Sequence, residues 1–227
     1  LMALLLARPP AAAEDGYDLW LRYRPVEAPW NGRYSAAAVV TGKSSPTLDA
    51  ARDELRRGLL GAEPRVAQAP GDGAILIGTP GSLPLIGDLG LPLERAGGEG
   101  YVIRSVRLGG RDATVIAANE DIGVLYGVFA YLRLIQTRQP VERLDIVEAP
   151  RLKLRLLNHW DNLDRTVERG YAGFPLWDWH KLPHYLDPRY TDYARANASI
   201  GINGTVLNNV NANADSLTPA YLGKAAA

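Results

Sequence analysis

Apolar positions in the first 149 residues recur with both strand and helix periods, which indicates a mixed fold. Asp18–Tyr23 alternates apolar and polar residues and predicts a strand, and Tyr34–Thr41 predicts a second one. Ser45 and Pro46 then mark a helix start, because serine caps helices and proline suits the first helical position. The apolar stripe of that helix, which should end near Gly61, consists of Leu48, Ala51, Leu55 and Leu59.

A short strand and a hairpin come next. Gly73–Gly78 encloses a buried strand, whereas residues 79–98 are rich in Gly, Pro and Leu and predict a loop. Tyr101–Arg104 and Ala113–Ala117 predict the two strands of a hairpin.

A long helix is predicted over Ile122–Gln136, after two candidate caps, Asn119 and Asp121. Gly123 and Gly127 lie one turn apart on one of its faces. Each glycine costs about 1 kcal/mol of helix propensity relative to alanine. Close contact with the sheet would offset this cost, so we expect that face of the helix to lie directly on the sheet.

A different pattern begins after Pro150. Three leucines, Leu152, Leu154 and Leu156, alternate with basic residues, so residues 151–160 predict a strand. The elements that follow are an aromatic connection Asp161–Leu186, a helix from Asp187 to Gly201, a strand over 202–207 and a helix from Thr218 onward. The inner face predicted for the first of these helices consists of Tyr190, Tyr193, Ala194, Asn197 and Ile200.

Two parallel strands joined by a helix are how a (β/α)8 barrel begins. Such a barrel needs eight strands and typically about 250 residues, so we expect this chain to be a fragment. The predicted fold class is α/β. It comprises an N-terminal α+β sandwich domain over 14–149 and the start of a TIM barrel over 150–227, truncated after the second barrel strand.

Composition excludes some classes of function. The 227 residues carry 25 basic and 25 acidic side chains, and this balance gives no sign of a nucleic-acid partner. The absence of cysteine excludes disulfides and thiolate metal sites. Residues 1–13 are typical of the second half of a secretory signal, so we expect a secreted or periplasmic bacterial protein. That apolar run is too short for a membrane span, which needs about 20 residues.

Polar and aromatic side chains follow both strands of the predicted barrel unit. Trp160 stands beside Asp161, and Asn208 and Asn209 follow the second strand. An indole ringed by amides and carboxylates suits a sugar, whose apolar face stacks on the ring while its hydroxyls form hydrogen bonds. The same pattern fits a buried tryptophan beside turn-capping asparagines, and the sequence leaves both interpretations open.

The histidines and acids of this stretch suggest other chemistry. His159, His180 and His184 lack a convincing metal-ligand spacing, so we favour structural or hydrogen-bonding roles for them. Asp161 and Asp164 suggest a glycosidase carboxylate pair, but a turn or capping role fits their spacing at least as well.

Four blocks of this region, in order over about 55 residues, resemble the α-glucuronidases of glycoside hydrolase family 67. The blocks are Asn158–Asp164, Glu168–Gly173, Ala198–Gly204 and Leu207–Asn211. Tyr17–Tyr23 and Ile122–Gly127 are similar to the same family with less diagnostic motifs, and the resemblance covers essentially all of 15–227.

The resemblance implies an enzyme that removes α-1,2-linked (4-O-methyl-)glucuronic acid from glucuronoxylan-derived xylooligosaccharides, with inversion and without metal or cofactor. It places the catalytic carboxylates on later barrel strands, so we assign no catalytic residue here and expect this chain alone to be inactive. A homodimer formed through the downstream C-terminal region is consistent with it.

The resemblance also carries over part of a sugar pocket. Trp160 matches the pocket tryptophan of the family, and Val210 matches an apolar pocket residue. The orienting groups expected around them are Asn158, Asp161, Asn208 and Asn209. Arg165 and Phe174–Leu176 depart from the expected loop pattern, which affects the predicted contacts with the xylan portion.

Two alternatives stand beside this interpretation. One is another barrel glycosidase with a similar N-terminal domain, such as a β-hexosaminidase, which would show an Asp-Glu pair late in the barrel. The other is a carbohydrate-binding piece without catalysis. The open edge of a two-stranded sheet argues against this second alternative, because an unpaired edge promotes aggregation.

Overall fold

A six-stranded mixed sheet forms the first half of the chain. The computed structural model describes residues 14–34, 38–59, 65–67, 69–170 and 174–227. The strands are β1 (Ala38–Thr41), β2 (Arg65–Ala67), β3 (Ala74–Gly78), β4 (Tyr101–Leu108), β5 (Arg111–Ala117) and β6 (Asp145–Glu148). Their spatial order is β2-β1-β3-β5-β4-β6. The first four in this order are parallel, and β4 runs antiparallel to both of its neighbours.

Helices cover both faces of this sheet. The long helices α1 (Pro46–Gly58) and α4 (Asp121–Gln136) pack on one face, and the short helices α2 (Pro84–Gly87) and α3 (Leu93–Ala96) on the other. Successive strand residues therefore enter different cores: Val39 faces α1 and α4, whereas Val40 faces α2 and α3. The first region is therefore a mixed α/β arrangement of sheet and helices, with the sheet as the central layer.

Two glycines bring α4 into direct contact with its surroundings, as predicted. A Cβ atom at Gly123 would lie 2.3 Å from the carbonyl oxygen of Gly100, and one at Gly127 would lie 2.7 Å from Cγ2 of Ile116. The tight approach requires glycine at both positions, which explains their cost to helix propensity.

The predicted hairpin and first helix are confirmed. The turn between β4 and β5 has positive φ at both Gly109 and Gly110, which is the geometry of a tight two-residue hairpin. Ser45 caps α1, because its side chain accepts a hydrogen bond from the backbone N–H of Leu48. Gly61, where that helix was expected to end, lies outside the described residues.

The strand predicted over Asp18–Tyr23 is wrong, because Leu19–Leu21 forms a 3-10 turn there. Leu19 has a φ of 51°, and the indole N–H of Trp20 donates to the Ser199 hydroxyl, at 2.8 Å. Tertiary contacts therefore override the alternating pattern.

Three further expectations need correction. Tyr34, the first residue of the second predicted strand, ends a 3-10 turn, and the strand observed in that range is β1 (Ala38–Thr41); residues 35–37 lie outside the described part. Residues 79–98 contain the short helices α2 and α3. Helix α4 has Glu120 at its N-cap, without a side-chain cap, and the amide of Asn119 instead donates to the carbonyl oxygens of Leu93 and Gly97.

The second half contains the predicted strand–helix–strand unit. Strands β7 (Leu156–Asn158) and β8 (Gly204–Val206) pair in parallel, and α5 (Pro188–Ser199) lies between them in the chain. Asp187 caps α5, and α6 (Pro219–Ala226) follows β8. Both strands are shorter than predicted.

Leucines at the start of the predicted first strand lie outside β7. Strand β7 covers only Leu156–Asn158 of the predicted range 151–160. Leu152 and Leu154, which precede it, are 67% and 73% exposed. Ile200, expected on the inner face of α5, is 53% exposed. These apolar side chains, which the pattern predicted to be buried, are therefore exposed among the described residues.

A buried ion pair joins α5 to the first region. Glu54 on α1 is 3% exposed and receives two hydrogen bonds from the Arg195 guanidinium, at 2.7 and 2.8 Å. The hydroxyl of Tyr23 donates to the same carboxylate, and burial followed by this hydrogen bond raises the pKa of Tyr23.

A second polar cluster holds the amino ends of β7 and β8. Glu99 pairs with Arg155, whose hydrogen bond lowers the pKa of that carboxyl, and accepts from the Asn203 amide at 3.1 Å. The Asn203 side-chain oxygen accepts from the backbone N–H of Arg155, at 2.9 Å. The first region therefore fixes α5 and the starts of both strands of the second.

No helix among the described residues is long and apolar enough to cross a membrane. The expected signal remnant, residues 1–13, lies outside the described part of the chain.

Candidate functional site

The carboxyl ends of β7 and β8 are joined by backbone hydrogen bonds. The N–H of His159 donates to the carbonyl of Val206 at 3.0 Å, and the N–H of Asn209 donates to the carbonyl of Asp161 at 3.1 Å. The side-chain amide of Asn209 also donates to the Asn162 side chain. The polar residues after the two strands therefore lie together, as expected for neighbouring parallel strands.

The two residues predicted as pocket walls are both open to solvent at this end. Trp160 is 38% exposed, and Val210 is 90% exposed. The guanidinium of Arg169 lies 5.3 Å from the centre of the Trp160 ring. Arg169 has a φ of 65°, a left-handed conformation that is uncommon for a residue with a side chain. Asn158, at the end of β7, is also exposed.

The remaining predicted site residues are more buried. Asp161 and Asn209 are only 5% and 6% exposed, and Asn208 is half-buried. Oδ2 of Asp161 and Oδ1 of Asn208 are buried and receive no hydrogen bond from the described residues. Burial raises the pKa of the Asp161 carboxyl, and the nearby His159 opposes this shift.

His159 has the hydrogen-bonding role that its sequence context favoured. Its Nε2 lies 2.7 Å from the hydroxyl oxygen of Tyr193, and its ring packs edge-on against Trp177 and Tyr193. Pattern analysis put Tyr193 on the inner face of α5 but gave no sign of this partner, which is 34 residues away in sequence. The other two histidines, His180 and His184, are exposed. No group of three metal-binding side chains occurs among the described residues.

The connection after β7 is ordered in its described part. Leu163, Trp179 and Leu182 form a small buried cluster. Asp164 has a turn role, because its carboxylate accepts from both the N–H and the hydroxyl of Thr166, at 3.0 and 2.7 Å. The hydroxyl bond contributes most to lowering the pKa of Asp164.

Charged residues of the connection contact the segment after β8 and other parts of the connection itself. Glu168 accepts a hydrogen bond from the side chain of Asn211, at 2.9 Å. Arg165, which departs from the expected loop pattern, pairs with Asp178 at 3.3 Å and lies over the Phe174 ring. Its left-handed backbone, with a φ of 71°, is held by these contacts.

Family models match nearly the whole described chain. The N-terminus of glycosyl hydrolase family 67 matches residues 19–131, and the middle domain of the same family matches residues 134–227. The chain belongs to glycosyl hydrolase family 67. This membership favours the α-glucuronidase resemblance over the hexosaminidase-like and non-catalytic alternatives.

Relatives in fungi carry the corresponding name. A probable alpha-glucuronidase A of Aspergillus fumigatus is 33% identical over 98% of this chain, and alpha-glucuronidase A of Aspergillus tubingensis is 34% identical over 96%. The chain spans about a quarter of the length of these family 67 relatives, 27% and 26% respectively.

One solved structure shows a related fold. It is a family GH115 4-O-methyl-alpha-glucuronidase with specificity for decorated arabinogalactans. It superimposes with a TM-score of 0.52 at 18% identity, over 75% of this chain and 25% of that one. At this identity the likeness concerns the fold alone.

Proposed function

We propose that the protein containing this family 67 chain is an α-glucuronidase. It releases α-1,2-linked (4-O-methyl-)glucuronic acid from xylooligosaccharides and inverts the anomeric centre. The observation that carries this proposal is the match of two consecutive family 67 domains to residues 19–131 and 134–227. The names of the fungal relatives support the same activity.

In this proposal the chain supplies one wall of the sugar pocket rather than the reacting carboxylates. Trp160 offers an indole face to the uronic acid ring, and Val210 offers a second apolar contact. The exposure of both side chains at the strand ends supports this assignment. The polar groups that orient the wall are Asn158, Asp161, Asn208 and Asn209.

The domain division that we propose is an N-terminal domain over 14–149 and the first β/α units of a barrel over 150–227. Two observations support it: β6 is the last strand of the first sheet, and β7 and β8 form a sheet of their own.

An inverting glycosidase holds two carboxyl groups about 6.5–9.5 Å apart, with a water between them. Asp164 is occupied by its turn, so it does not supply one of these groups. We place both catalytic carboxylates outside residues 14–227.

The test is the reaction of the full-length protein with aldouronic oligosaccharides, followed by proton NMR. We expect free uronic acid that first appears as the β-anomer, because inversion of an α-linkage gives that product. Absence of uronic acid release would reject the activity, and initial α-anomer would reject the inverting mechanism.

A further inference from the structure

His159 connects the end of β7 to α5 and is held on several sides. Its side chain is 17% exposed, with Nε2 2.7 Å from the Tyr193 oxygen and Nδ1 3.5 Å from Oδ2 of Asp161. The rings of Tyr193 and Trp177 lie against it, with centroids 5.3 and 5.6 Å away. The contact with Tyr193 is a hydrogen bond, whereas the 3.5 Å distance to Asp161 is an electrostatic contact.

Asp161 has a buried oxygen that needs a donor. Its Oδ2 receives no hydrogen bond from the described residues, and a buried acceptor without a partner costs about 1–3 kcal/mol. With its proton on Nδ1, His159 places a donor 3.5 Å from this oxygen, close enough for electrostatic attraction but longer than a hydrogen bond. Its Nε2 then accepts the hydroxyl hydrogen of Tyr193, as a hydrogen bond at one ring nitrogen sets the tautomer.

Trp160 stands between the two residues that these contacts hold. The backbone on both sides is also fixed, because His159 N–H bonds to Val206 and the Asp161 carbonyl bonds to Asn209. The carbonyl of Trp160 itself accepts from the N–H of Glu168, at 2.9 Å. The indole is therefore attached to a backbone that has little freedom to turn.

We propose that Asp161, His159 and Tyr193 form a positioning relay that presents Trp160 to the substrate. None of the three side chains needs to touch the sugar. The identity of the sugar that Trp160 contacts, a uronic acid, rests on the proposed function. Its effect is on binding, since the indole face contacts the sugar ring alike in the ground state and in the transition state.

Tyr193→Phe in the full-length protein tests the relay, with Tyr190→Phe as matched control. Tyr190 lies one turn earlier on α5, and its hydroxyl accepts from the N–H of Asp178 at 2.9 Å, so each variant loses one comparable hydrogen bond. We expect Tyr193→Phe to raise KM for an aldouronic oligosaccharide about tenfold, with kcat within about twofold. Tyr190→Phe should leave both constants within about twofold of wild type.

Two further measurements separate positioning from general damage. The Nε2 nitrogen signal of His159 in ¹⁵N NMR should move in Tyr193→Phe and stay in Tyr190→Phe. Asp161→Asn should raise KM as well, and the double variant with Tyr193→Phe should add little to either single effect, as expected for residues that act as one unit.

An unchanged KM in Tyr193→Phe, or an equal rise in Tyr190→Phe, would overturn the relay. If the wild-type protein releases no uronic acid, the proposed function fails on its own. The imidazole signal still decides the relay in that case, because a His159 resonance unaffected by loss of the Tyr193 hydroxyl would overturn it.

Discussion

The six-stranded sheet and the two-stranded unit bury the side chains of their strands to very different degrees. In the sheet, Val39, Leu76 and Ile103 are completely buried between helices. In the two-stranded unit, Leu156 and Val206 are 46% and 41% exposed, although they lie in strands. The first region completes its own core, whereas the second leaves much of its strand surface uncovered.

Polar groups show the same contrast. Among the described residues, the buried side-chain atoms without a hydrogen-bond partner all lie in the second region. They belong to Asp161, Arg165, Trp177, Asp178, Trp179 and Asn208. Such atoms normally find a partner in native structures. Two of these residues, Asp161 and Asn208, lie at the carboxyl ends of β7 and β8, and the other four lie in the connection that follows β7.

The largest expected effect is the loss of a core side chain from the sheet. Ile103→Ala removes a completely buried side chain and should lower the free energy of unfolding by about 2–5 kcal/mol. Leu154→Ala, at a residue that is 73% exposed, should change it by less than about 0.5 kcal/mol. Urea denaturation of both variants measures the difference, and equal losses would contradict the contrast between the two regions.

Removal of the indole should affect catalysis more than stability. We expect Trp160→Ala to lower kcat/KM of the full-length protein about 100-fold, because a sugar-stacking surface of this size contributes roughly 3 kcal/mol. Trp30→Ala, in the first region, is the control and should leave kcat/KM nearly unchanged. Near-normal kcat/KM in Trp160→Ala would reject its pocket role.

Two helical glycines should respond in opposite directions to the same substitution. Gly123→Ala places a Cβ 2.3 Å from a backbone oxygen, so we expect a loss of about 1–3 kcal/mol of stability. At Gly223 on α6, a Cβ atom would meet nothing within 4 Å apart from its chain neighbours and the backbone of its own helix, so Gly223→Ala should gain up to about 1 kcal/mol from helix propensity. Thermal unfolding measures both, and destabilisation by Gly223→Ala would contradict the open packing of α6.

The smallest expected effect concerns the charge of Asp161. Its pKa is raised in the folded protein, so its contribution to stability is complete below the unfolded pKa of about 3.9 and is lost as pH rises through the folded value. Asp161→Asn should therefore be at least as stable as wild type at pH 7, with a relative advantage that shrinks toward pH 4. Urea denaturation across this range checks it, and clear destabilisation at pH 7 would contradict the direction of the shift.

Local signals were enough to predict much of the first region. The Ser45 cap and the Gly109-Gly110 turn each depend on neighbouring residues, and both are confirmed. The close contact at Gly123 is with Gly100, which is distant in sequence, but the cost of two glycines within a helix was a local signal for it. Asp18–Tyr23 could not be predicted in this way, because its conformation depends on a hydrogen bond between Trp20 and Ser199, 179 residues apart. The short helices α2 and α3 were missed since each is only four residues long.

The location of the site could be predicted from the sequence, but the hydrogen bonds within it could not. Polar residues after two parallel strands had to meet, and the contact between Asp161 and Asn209 confirms it. The hydrogen bond between His159 and Tyr193 joins a strand end to a helix, and no spacing in the sequence encodes it. The pocket roles of Trp160 and Val210 stay predictions.

A crystal structure of the full-length protein with glucuronic acid tests the central claim most directly. We predict that the sugar ring stacks on Trp160 and that Val210 contacts the same sugar, with carbon atoms within about 4.5 Å. A uronic acid bound elsewhere, with Trp160 and Val210 facing separate surroundings, would contradict the account.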